Sequence, residues 1–361
     1  MRQYLTFGLL AAACTGGCAT TGTPVSTTDA PPRSSSYVVE PLRHLQPTPA
    51  VLAATRVFNA SGMPTDWGTV VAAATAAEVV VVAEQHGHRA GLTAAASLWR
   101  TVLETWWDDS PWNGIGPRPV ATNPAALALE FFERDDQSRI DDYLAGLTTE
   151  EVFLRRTGKA TAPDKDPWAG GYPPGHRDML EASKAARVPV IAANAPRAYV
   201  RLARTGGYEA LAGLTPEQQR LFALPRYAAA GDPPDNRYWR DFLSFMGSTP
   251  EKYAGSPREE REKIDGMFRA QSIWDATMAD SVRIALARGH APVFLVIGQF
   301  HADFAGDGGG GTVQALRAAR PETKIVVISF QDADPSAPFR PEDKGRADFV
   351  VYCGEELRPA R

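Results

Sequence analysis

Cysteine is nearly absent: three residues in 361, two of them within the first eighteen. A disulfide scaffold is thereby excluded. Positive charge is not in excess either, since 38 Lys and Arg against 42 Asp and Glu leave a net charge of −4. With no basic stripe along the chain, no nucleic-acid partner is expected. No Gly-x-Ser-x-Gly elbow occurs, which argues against a serine hydrolase of that type. The four glycines Gly308 to Gly311 run into Thr312-Val313 rather than Lys-Ser or Lys-Thr, so they read as a loop and not a phosphate cradle. What is present is an ordinary apolar share of 44% over a length suited to one large or two modest domains.

The N-terminus departs from that ordinary composition. Arg2 supplies a positive charge, Tyr4 to Ala13 is a short apolar run, and small residues lead to Gly17-Cys18. The run is far shorter than the roughly 20 apolar residues a spanning helix needs. It reads as an export signal, with residues 1–17 as a lipoprotein signal peptide and Cys18 as the lipidated new terminus. Cys14, after Ala11 to Ala13, is a rival site that would leave an unusually short signal. Residues 18–45 are rich in Thr, Ser and Pro and are expected to form a disordered tether. The expected location is therefore exported and lipid-anchored to a membrane.

From residue 46 to 361 the pattern is that of a single α/β domain. Continuously apolar, β-branched runs at Val79–Val82, Ala125–Leu129, Val188–Ala193, Pro292–Ile297, Lys324–Ser329 and Ala347–Tyr352 alternate with helical periodicities. Such strands predict a largely parallel sheet covered by helices on both faces. Thr65 is the expected N-cap of the helix preceding the first of these runs. Residues 198–289 hold no strand of comparable quality and predict an all-α insertion or cap subdomain.

Ligands of open α/β sheets bind outside the carboxyl ends of the strands, and here those ends are polar. The first strand runs into Glu84-Gln85-His86-Gly87-His88, where Glu84, His86 and His88 share a face if the chain stays extended. The second ends at Glu130, with Arg134 beyond it. The third ends at Asn194, with Arg197 nearby, and the fourth at Gly298-Gln299-Phe300-His301. Uncompensated polar groups are costly at such positions, so Glu84, His86, Glu130, Arg134 and His301 are candidate catalytic residues. Glu84, His86 and His301 could alternatively hold a divalent transition metal, or serve as general base and orienting partners without one. Asp275, flanked by apolar Trp274 and Ala276, is a further candidate.

Five segments in this order resemble the ChaN-like haem-binding lipoproteins: Val-Val-Ala-Glu84-Gln-His86-Gly-His88, Ala-Leu-Glu130-Phe-Phe-Glu-Arg134-Asp135, Val-Ile-Ala-Ala-Asn194-Ala-Pro-Arg197, Trp274-Asp-Ala-Thr-Met278-Ala and Ile-Gly298-Gln-Phe-His301. The wider superfamily includes Tiki-type metalloproteases and erythromycin-esterase-like hydrolases. The resemblance covers about Arg56 to Cys353. It implies an α/β body with a helical subdomain, haem as cofactor, binding at a homodimer interface, and a role in iron acquisition. His88, His176, Arg177, Asn194, Arg197 and Asp275 are the residues it offers for the cofactor.

Two departures stand out. Where the family is expected to read Tyr-Arg, this chain has His176-Arg177, which retains iron ligation only if imidazole replaces phenolate. After His301, where basic residues are expected, the chain reads Ala302-Asp303-Phe304-Ala305-Gly306-Asp307, and free carboxylates there would repel haem propionates. Ala19 rather than Asp after Cys18 fits outer-membrane sorting in a Gram-negative host. Two functions follow: a tethered haem-binding protein, or a metal-dependent or Glu/His-based hydrolase of the same superfamily.

Overall fold

A computed structural model describes residues 54–108, 124–162, 165–169, 172–226 and 235–354. The expected signal peptide, Cys14, Cys18 and the tether lie outside the described residues. Eight strands form one sheet: β1 (Arg56–Asn59), β2 (Pro64–Thr65), β3 (Val79–Glu84), β4 (Ala126–Glu133), β5 (Val190–Asn194), β6 (Val293–Gly298), β7 (Ile325–Gln331) and β8 (Phe349–Tyr352). Their spatial order is β2-β1-β8-β7-β3-β6-β4-β5. Strands β3 to β8 pair in parallel, and β1 closes one side antiparallel to β8. The β1–β2 ribbon is too short to show in the apolar pattern.

The helices are α1 (Trp67–Ala76), α2 (Arg89–Asp108), α3 (Gln137–Leu144), α4 (Glu150–Thr157), α5 (Pro174–Ala186), α6 (Arg197–Gly206), α7 (Arg237–Phe245), α8 (Arg258–Ala287), α9 (Gln299–Ala302) and α10 (Gly311–Ala319), with short turns at Pro216–Gln219 and Pro250–Gly255. Asp66, not Thr65, caps α1, its side chain accepting from the Thr69 amide. No strand occurs among the described residues between 198 and 289. The carboxyl half of α8 is part of the layer covering the sheet, through Met278, Ala279, Val282 and Ala285.

The strands are apolar on both sides because both sides are covered. Val80 and Val82 pack with Leu127, Leu129, Phe294 and Trp99 under α2 and α5. Val79 and Val81 pack with Ala128, Leu295 and Ile297 under α8 and α10. All of these strand residues are completely buried, and burying each Val or Leu contributes roughly 1.5–3 kcal/mol. The period of two therefore assigns each polar residue at a strand end to one cover or the other.

Two close approaches fix the layers near that edge. A Cβ on Gly175 would lie 2.6 Å from the Leu92 Cβ, so the first turn of α5 rests directly on α2. A Cβ on Gly311 would lie 2.6 Å from the Tyr238 ring and would also strike the Asp275 carboxylate, so α10 begins hard against α7 and α8.

Candidate functional site

Glu84 ends β3 beside Gly298 of β6, in register. By alternation its side chain belongs to the face of Val80 and Val82, and there it meets α5. Glu84 Oε2 lies 2.6 Å from His176 Nε2, and Oε1 lies 2.9 Å from His86 Nδ1. Glu84 and His176 are buried, whereas the His86 side chain is 59% exposed. Burial opposes the Glu84 charge, but His176, then His86, hold its carboxyl down to about 2. The His86 imidazole is raised, first by the hydrogen bond with Glu84.

The opposite face supplies a second pair. His301, on the single turn α9 that follows β6, places Nδ1 2.7 Å from Asp275 Oδ1 of α8 and Nε2 3.5 Å from Glu130 Oε1 of β4. Asp275 also accepts hydrogen bonds from Thr312 Oγ1, at 2.8 Å, and from the Tyr238 hydroxyl. Burial opposes the charge on His301, but Asp275 and Glu130 outweigh it and lift the imidazole to about 10. Glu130 Oε2 accepts from the Gly298 amide at 2.6 Å, and His301 and His86 overcome its burial to lower its carboxyl.

Between the two pairs lies the strand edge itself. A Cβ at Gly298 would stand 3.0 Å from His86 Nε2 and 3.6 Å from Glu130 Oε2. The absence of a side chain there lets the exposed imidazole and the half-buried carboxylate share one spot. Glu84, His86, Glu130 and His301 thus converge at the carboxyl edge of the sheet, with Asp275 and His176 behind them on opposite covers. Gln271, one turn before Asp275 on α8, lies 3.1 Å from His301 Nδ1 and 3.2 Å from the Tyr238 hydroxyl. Gln271, Tyr238 and Thr312 stand at no strand end, so the polar-end pattern does not mark them. Only the spacing of four between Gln271 and Asp275 hinted at a shared helix face.

The remaining candidates are placed elsewhere. Gly87 adopts a positive φ of 78°, breaking the extension that would have aligned His88 with His86. His88 instead accepts from the Gly91 amide and donates to the Gly354 carbonyl, capping α2. Arg134 is anchored to Ser281, Thr277 and Asp280 of α8, which fastens β4 to the helical cover. Arg177 turns outward to a bidentate pair with Glu150. Asn194 accepts from the next amide in the chain, that of Ala195, and Arg197 meets Glu133 through its backbone amide and, at 3.5 Å, its guanidinium. Asp303 is no free charge: it is buried against Ser329 and Arg346, and Asp307 pairs with Arg237.

Among the described residues, no group of three or more His, Cys, Asp or Glu is arranged to hold a metal ion. The expectation of a metal on Glu84, His86 and His301 is therefore not supported. The physical reason is pairing: Glu84 spends both oxygens on imidazoles, and His301 lies between two carboxylates. Haem asks for less, a single accessible donor, and the donor chemistry fits at His86. Its Nδ1 is held by a carboxylate while, among the described residues, Nε2 has no hydrogen-bond partner, the arrangement in which a histidine is oriented as a metal ligand. His176 does not fit that role, being fully buried with Nε2 committed to Glu84.

The chain is thus a mostly parallel α/β protein with paired carboxylates and imidazoles at the carboxyl edge of its sheet. The model of the family described as haem-binding uptake, Tiki superfamily, ChaN matches residues 70–316, and the chain belongs to that family. Among solved structures, it is similar to ChaN of Campylobacter jejuni, described as binding haem cofacially, with TM-score 0.54 and 12% identity over 82% of this chain and 96% of that one. An erythromycin esterase mutant in its open conformation gives TM-score 0.38 and 16% identity over 82% of each chain. A Bacillus cereus protein gives TM-score 0.41 and 10% identity over 87% and 97%. No curated protein matches the sequence.

Proposed function

We propose that the protein is an exported, lipid-anchored haem-binding protein serving iron acquisition, with His86 as the iron ligand. The observation that carries this reading is the His86 side chain: exposed at the sheet edge, held by Glu84 through Nδ1, and without a partner at Nε2 among the described residues. Haem, when bound, would supply an iron centre, and His86 is the residue that would hold it. Glu84 orients the ring, and His176 fixes Glu84 from the interior. Membrane attachment through Cys18 and pairing of two copies around the ligand belong to the same reading, supported by the N-terminal signal pattern and the family. The test is hemin titration of the wild type and of His86→Ala. The expected result is a shifted Soret band of defined stoichiometry that the variant loses. Binding no tighter than to an unrelated protein removes haem from the account.

A second reading, hydrolysis, is favoured by one observation: His301 is held between Asp275 and Glu130. A charged imidazole buried between two carboxylates is an acid–base device. His86 Nε2 would take the proton of an attacking water, and Glu130 and His301 would act on the leaving group. Ester and amide panels, assayed with wild type and Glu130→Gln, decide this. Turnover lost in the variant supports it, and no turnover on any member retires it.

A further inference from the structure

Lys159 follows α4 and reaches back over the rings of two β4 residues, its Nζ 5.5 Å from the Phe131 centroid and 5.8 Å from that of Phe132. Phe131 is the aromatic floor of the site: its ring lies 4.1 Å from that of His176 and 6.1 Å from that of His86. The ammonium is half-buried and, among the described residues, has no carboxylate within ion-pair distance and no hydrogen bond. The arginines Arg134, Arg139 and Arg177 are each paired, with Asp280, Asp136 and Glu150. Arg197, with its guanidinium mostly exposed, adds positive charge nearby, while Glu133 and Asp136 offset it at a distance. A partly desolvated ammonium without a counter-ion is costly unless something supplies one.

We infer that Lys159 is the anion-binding residue of this site and takes a carboxylate of the ligand lying on Phe131 beside His86. The ligand class is then an aromatic molecule bearing free carboxylates, and in haem the group is a propionate. The inference rests on the haem reading but needs no iron. Burial, together with Arg197, lowers the Lys159 ammonium from its ordinary value, as an unneutralised cation should be. Ring contact beneath and an anion above use both kinds of affinity of a single ammonium.

The experiment compares metal-free protoporphyrin with its dimethyl ester, by fluorescence, on wild type, Lys159→Met and Lys159→Arg, with hemin and its dimethyl ester in parallel. Wild type should bind the free acid about tenfold more tightly than the ester. Lys159→Met should lose that preference with an unchanged melting temperature, and Lys159→Arg should keep it. Equal binding of acid and ester by wild type, or a preference surviving in Lys159→Met, overturns the inference. So does failure of both porphyrins to bind. Failure of the iron reading alone shows differently: the Soret shift of hemin is absent or independent of His86, while the metal-free arms still discriminate.

Discussion

Glu84 and His176, 92 positions apart, meet at 2.6 Å in the interior, and neither has appreciable contact with solvent. A pair of this kind is strongly destabilising to break, because removing one partner strands the other. His176→Ala should cost on the order of 3 kcal/mol, seen as a lowered denaturant midpoint with an unchanged slope. An effect below about 1 kcal/mol would mean that Glu84 does not depend on His176 in the interior.

The same groups set the pH range of stability. Glu84, ordinarily near 4.5, titrates at about 2 in the fold. Its contribution is present above the ordinary value and is lost as pH falls toward 2. His301 is shifted the other way, from 6.5 to about 10, so its contribution is complete below 6.5 and is lost as pH rises toward 10. Melting temperature should therefore fall on both sides of a maximum between about pH 4.5 and 6.5. Glu84→Gln should flatten the acid limb and Asp275→Asn the alkaline one. Limbs that keep their slope in these variants would assign the pH dependence to other groups.

Gly298 and Gly311 make contrasting probes. Gly298 has an ordinary φ of −60°, so Gly298→Ala strains no backbone and presses first on His86 and Glu130. Ligand binding should drop at least tenfold with little change in melting temperature. Gly311→Ala drives its methyl into Asp275 and Tyr238 and should cost about 1–3 kcal/mol as overpacking. Thermal melts beside hemin titrations separate the two, and equal destabilisation by both would contradict the placement of His86.

Leu295 lies in the centre of β6 and is fully buried. Leu295→Ala should destabilise by on the order of 3 kcal/mol, yet leave the affinity of the folded fraction unchanged. A loss of affinity matched by no loss of stability would place Leu295 in the site rather than the core.

For the anchor, Cys18→Ser should abolish labelling by a fatty-acid probe in a bacterial host and release the protein from membranes. Continued labelling of Cys18→Ser, with loss in Cys14→Ser, would move the anchor to Cys14.

The sheet was legible because β3, β6 and β7 are short, apolar, β-branched runs, the pattern of a strand covered on both faces. Glu84, His86, Glu130 and His301 were legible as polar residues ending such runs. His88 was misplaced because the extended spacing assumed for it breaks at Gly87, whose positive φ is invisible in residue identity. Arg134 and Arg177 look like site residues in one dimension, but each is consumed by an acidic partner on a helix, Asp280 and Glu150. Lys159 was missed for the opposite reason. It lies after a helix, far from any strand end, and only the fold carries it onto Phe131.

The in-register pairing of Glu84 with Gly298 has an evolutionary consequence. The inner dimensions of the site are set by the spacing of two neighbouring strands, about 4.8 Å, and most of the chain lies between them. Lengthening, trimming or exchanging residues 198–257 would reshape what reaches the edge without altering that spacing. Acid–base geometry and ligand choice can thus be inherited separately. A lineage built on this scaffold can change what it captures while the Glu84–Gly298 junction stays as it is.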